Sequence, residues 1–150
     1  MGVNPYKTNS LIFYKMVYKI VDIQGIGEAY AAKMIAAGVA TVDQLLEKGK
    51  DAKGRKALAE ATGLPEKNIL TWVNHADLFR INGVGPQFSE LLEASGVDTV
   101  KELAMRKAEN LVSKMEEVNA RKHLTKVVPT VEQVKKMIEQ AKTMPGMVTY

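Results

Sequence analysis

The chain has no cysteine among its 150 residues, which excludes a disulfide framework and any thiolate metal site. Aromatic residues are scarce at 6%, with a single tryptophan. No apolar run reaches the roughly 18 residues that a membrane-spanning helix needs. The stretch Leu11-Ile12-Phe13-Tyr14 is short, Lys15 and Lys19 interrupt the segment after it, and no signal-peptide cleavage pattern accompanies it. A soluble, cytoplasmic protein is expected. His75 and His123 stand far apart with no paired carboxylates, so no metal site is expected. A Ser-His-acid pattern and a Walker-type loop are both missing, so no enzymatic activity is expected.

What the chain does have is the composition of a folded protein, 46% hydrophobic and 25% charged. The formal net charge of +4 is compatible with a polyanionic partner but is too modest to imply one. More informative is a phrase that occurs twice. Ile23-Gln24-Gly25-Ile26-Gly27 opens a segment closing at Ala37-Gly38-Val39-Ala40-Thr41-Val42; Ile81-Asn82-Gly83-Val84-Gly85 opens another, closing at Ser95-Gly96-Val97-Asp98-Thr99-Val100. A constant 58 residues separates Gly25 from Gly83, Gly27 from Gly85, Gly38 from Gly96 and Val42 from Val100. The matched positions are mostly glycines and apolar residues, which shape a backbone rather than perform chemistry.

Each copy reads as a tight turn, a helix, a glycine stop and a further helix. Strong helix formers run from Glu28 to Ala37, and Gly38 stands where a left-handed residue ends a helix. Pro86 suits the first turn of the equivalent helix. Thr41-Val42-Asp43-Gln44, Thr99-Val100-Lys101-Glu102 and Thr130-Val131-Glu132-Gln133 have the form of capping boxes. Gly49 to Gly54 reads as a short polar loop, with a helix after it near Arg55 to Thr62. Pro65-Glu66 starts a longer helix through Trp72, whose spacing from Ile69 and Phe79 marks it as core. The last long helix ends before Pro145-Gly146, as the lead-in to a third turn that decays. An all-α fold is expected, divided into residues 1–19 as an apolar arm or divergent lead-in helix, 20–80 as the first copy and 81–150 as the second.

Paired glycines permit positive φ and let another backbone approach closely. Ile26 and Val84 between them would point inward. The amides that open the next helix are unpaired and lie in the positive field of its dipole, where a phosphate oxygen fits. This pattern resembles the helix-hairpin-helix motif. The two copies resemble a tandem helix-hairpin-helix domain, similar to a bacterial family of small proteins of that kind, over about residues 20–142. The resemblance implies contacts with duplex phosphates without sequence readout, through the amides of Gly25, Gly27 and Glu28 in one turn and of Gly83, Gly85 and Gln87 in the other. It implies no cofactor, although some members hold a monovalent cation with hairpin carbonyls.

Two features depart from the DNA-binding pattern. Glu28 stands where a basic or small polar residue is common, and the helix after Pro86 carries Glu90 and Glu93 with no basic residue. Lys33 is the first cation along the earlier helix. The densest basic run is Lys48, Lys50, Lys53, Arg55 and Lys56, and it offers an electrostatic grip on a polyanion. Arg121, Lys122, His123 and Lys126 form a second cluster. Val97-Asp98-Thr99 is similar to the context in which base-excision glycosylases carry a catalytic aspartate. The equivalent Val39-Ala40-Thr41 lacks that aspartate, so Asp98 reads as a helix-capping residue. A different class of function is self-assembly as a homo-oligomer or filament, with Leu11, Ile12, Phe13, Tyr14 and Val17 of the apolar arm as contact candidates.

Overall fold

A computed structural model describes residues 18–150 of the chain. Leu11, Ile12, Phe13, Tyr14 and Val17, the expected assembly contacts, lie outside the described residues. The described residues form a 3-10 turn at Ile20–Asp22 and the helices α1 (Glu28–Ala36), α2 (Val42–Gly49), α3 (Ala52–Thr62), α4 (Glu66–Leu78), α5 (Pro86–Ala94), α6 (Val100–Ala104), α7 (Ala108–Lys122) and α8 (Val131–Thr143). Among the described residues the only extended pairing is a single antiparallel bridge between Lys19 and Thr41. The fold is all-α, as the helical spacing predicts. None of the described helices is long and apolar enough to cross a membrane.

Among the described residues, buried apolar side chains gather in two clusters. Ile20, Met34, Leu45, Ile69 and Val73 belong to the first; Leu91, Leu103, Leu111, Met115 and Val134 belong to the second. Each such side chain, withdrawn from water, contributes about 1.5–3 kcal/mol of hydrophobic stabilisation. The seam runs through the end of α4, where Leu78 joins the second cluster and its neighbour Phe79 the first.

Local bonds recur 58 residues apart. The amide of Ile26 donates to Ile23 O at 3.1 Å, and that of Val84 to Ile81 O at 3.1 Å. Gly25 and Gly83 carry φ of 93° and 91°, a region that side chains disfavour. Helices α1 and α5 each span nine residues. Both end with the amide of the residue after a glycine reaching back to the last turn, Val39 N to Met34 O and Val97 N to Leu92 O, each at 2.8 Å.

Two of the three expected capping boxes close, Thr41 with Gln44 and Thr130 with Gln133. At Thr99 the hydroxyl accepts from Glu102 N at 3.2 Å, but the Glu102 carboxylate accepts from Arg106 Nε instead of turning back. The expected loop at Gly49 to Gly54 is shorter than its glycines imply. Helix α2 includes Gly49, and α3 starts at Ala52 with Asp51 accepting from Gly54 N. Gly54 lies within α3, and α2 passes so close that a side chain there would collide with Lys48 O. Nor does Asp98 act as a cap. It is exposed, and the start of α6 is capped by Thr99 and by the Asp77 carboxylate, which accepts from Val100 N at 2.8 Å.

The C-terminal residues cross to the first cluster, against which Met147 and Val148 pack. Arg80 Nη2 donates to Pro145 O at 2.7 Å, and Thr149 N donates to Lys50 O at 2.7 Å. What the sequence presents as the remnant of a third turn serves as a strap across the molecule.

Candidate nucleic-acid interface

At the first turn Gly25, Gly27 and Glu28 are all exposed. Gly27 is the N-cap of α1 and offers no side chain to close the helix start. The first intrahelical bond is Ala31 N to Gly27 O at 2.9 Å, so the amides of Glu28, Ala29 and Tyr30 precede the ladder. The N–H groups of Gln24, Gly25 and Gly27 have no backbone acceptor among the described residues. A side chain on Gly27 would meet nothing within 4 Å. Beside Gly25 stands Trp72, with Nε1 3.5 Å from where a Gly25 side chain would begin. The Tyr30 ring tilts at 47° against the indole, with centroids 5.5 Å apart.

The second turn shares the backbone path but not the surroundings. The amide of Asn82, which corresponds to Gln24, donates to Gln140 Oε1 at 2.8 Å. Gly83 is exposed and faces Met137 Cε at 3.5 Å in place of an indole. Gly85 is half-buried, with Tyr18 Oη 3.0 Å from where its side chain would begin. Gln87 is exposed and shares a cleft of about 610 Å³ with His123 and Lys126, which brings part of the second basic cluster to this turn.

The denser basic run is placed elsewhere. Lys48 Nζ lies 2.8 Å from the position a Gly38 side chain would take, at the C-terminal end of α1. Nine residues of helix put that end about 14 Å from the first turn, too far for both to hold one phosphate. Lys50 pairs with Glu47 at 3.0 Å, and Lys53 and Lys33 are exposed. Arg55 requires a correction. It is 5% exposed, and its guanidinium donates to Gly49 O at 2.9 Å and Thr149 O at 2.6 Å. Those bonds commit it to anchoring the strap, so it does not belong to a phosphate-facing surface.

Sequence spacing gives no sign of a buried polar group between the two halves. His75 on α4 is 3% exposed, with Nδ1 3.3 Å from Ser89 Oγ and Nε2 against the Glu93 carboxylate. The hydrogen bond from His75 holds the Glu93 carboxyl below the ordinary value of 4.5, partial burial opposes it, and attraction to His75 and Lys122 adds to the lowering. Glu93, which the sequence presents as an acidic obstacle to polyanions, is thus engaged with His75 of its own fold.

A family model described as a domain of unknown function, DUF4332, matches residues 24–144. That match covers most of the chain, and the chain belongs to this family. Neither a curated protein nor a solved structure matches it.

Proposed function

We propose that this DUF4332 domain is a non-enzymatic module that holds duplex nucleic acid by its phosphates, without sequence readout. In this reading the glycine turns are helix-hairpin-helix turns in tandem. The observation that carries it is the first turn, where exposed amides at Gly25, Gly27 and Glu28 stand at the start of a nine-residue helix with no side-chain cap. Helix starts of that kind favour anions through unpaired N–H groups and the helix dipole. The recurrence of the turn's hydrogen bonds at Ile26 and Val84 supports the tandem reading. Neutral N–H donors would do the holding, because Arg55 is occupied and Lys48 stands at the other end of α1. The salt dependence of binding should therefore be shallow, because neutral donors neutralise no phosphate and release few counterions.

A second reading, self-association, is favoured by the exposed apolar side chains Ile35, Met105 and Val127. One experiment separates the two: duplex binding across a salt series, with light scattering of the protein alone. Saturable duplex binding by a monomer supports the first reading. Dissociation constants weaker than about 10⁻⁴ M at low salt, with large particles in the absence of duplex, would establish the second.

A further inference from the structure

The geometry points to an unequal pair of turns, in which the first is the phosphate site and the Trp72 indole N–H is its side-chain donor. This inference rests on the proposed duplex-binding function and assigns it to one turn. Three contacts distinguish the turns. Asn82 N–H is taken by Gln140, whereas the corresponding Gln24 N–H has no acceptor among the described residues. The Cα face of Gly85 is covered by the Tyr18 hydroxyl, whereas that of Gly27 is open to 4 Å and beyond. The residue that faces the turn glycine is Met137 at Gly83, an apolar thioether, but Trp72 at Gly25.

Trp72 is 4% exposed, and its Nε1 comes to the surface beside the exposed Gly25. No hydrogen-bond acceptor for it occurs among the described residues, and it is not among their buried polar atoms without a partner, so solvent or a ligand reaches it. An indole N–H can only donate, so the group that completes this site must bring an acceptor oxygen. A duplex phosphate has two free oxygens, which can accept from the indole N–H and from an amide of the neighbouring turn. The Tyr30 ring packs against the indole. Glu28 opposes an anion here, but its carboxylate is exposed and screened by solvent.

The chain contains one tryptophan, so its indole N–H gives a single resonance to follow. A short mixed-sequence DNA duplex is titrated at low salt into the full-length protein. The indole resonance is expected to move downfield in step with saturation. Trp72→Phe keeps an aromatic side chain, though a smaller one, and removes the donor; it should weaken binding about tenfold, the loss of one hydrogen bond to a charged group. Gly27→Ala and Gly85→Ala make a matched pair with ordinary negative φ at both sites. Gly27→Ala should cost several times more affinity than Gly85→Ala, because only its methyl obstructs an open face. If the wild type binds duplex but the indole resonance stays still and the two alanine variants lose affinity equally, the assignment to the first turn is overturned while duplex binding stands. If the wild type binds no duplex, both fail.

Discussion

Asp77 and Val100 are 23 residues apart in sequence, yet the Asp77 carboxylate accepts the Val100 amide N–H at 2.8 Å. The same carboxylate accepts from Arg80 Nη1 at 2.7 Å, and Arg80 in turn reaches Pro145 O. One 2%-exposed side chain therefore ties α4 to the start of α6 and, through Arg80, to the strap. Asp77→Ala should leave a buried amide without its acceptor and an arginine without its counter-charge. A loss of about 2–4 kcal/mol in urea unfolding is expected, and Asp77→Asn should lose less. A loss below about 0.5 kcal/mol, the range of ordinary surface substitutions, would show that the contact is incidental.

The His75–Glu93 pair makes stability depend on pH in a stated direction. The folded carboxyl titrates below its ordinary value of 4.5. Unfolding therefore raises its proton affinity, and the pair's contribution is present above that value and disappears as pH falls through the folded one. Thermal midpoints measured from about pH 6 down to about pH 3 should fall more for the wild type than for Glu93→Gln. Parallel curves would remove Glu93 from the account of acid stability.

Much of this molecule is legible in its sequence, and what is not has a common cause. Gly25, Gly83, Thr41 and Thr130 act on a backbone within a few residues of themselves, so spacing alone locates the turns and caps. Asp77 with Val100, His75 with Ser89, and Arg55 with Thr149, 94 residues away, depend on where whole helices come to rest. Gly54 misleads in the opposite way. Its type signals a loop, but it lies within α3, against a neighbouring carbonyl that only the packed fold brings near. The exposure of the Trp72 N–H is likewise invisible to apolar periodicity, which identifies the ring as core.

Gly54→Ala tests that close approach. Its methyl would collide with Lys48 O, main chain that cannot rotate away. Separating α2 from α3 to admit it should destabilise the fold by about 1–3 kcal/mol or more, although alanine is the better helix former. A variant as stable as the wild type in denaturant would mean that the helix pair is not so tightly packed.

Arg55→Lys asks what the buried guanidinium does. A lysine keeps the charge but lacks the planar fork that reaches Gly49 O and Thr149 O together. The strap should loosen, with faster amide exchange at Thr149 and a stability loss of about 1–2 kcal/mol, while duplex affinity stays close to that of the wild type. Affinity that falls with stability unchanged would return Arg55 to the binding surface.

The most direct test of phosphate capture at the first turn is a backbone amide chemical-shift map of the protein saturated with duplex at low salt. The largest changes are expected at Gly25, Gly27 and Glu28, with smaller ones at Gly83 and Gly85. A map in which those first-turn amides stay unmoved while the duplex binds through Lys48, Lys50 and Lys53 would contradict the account.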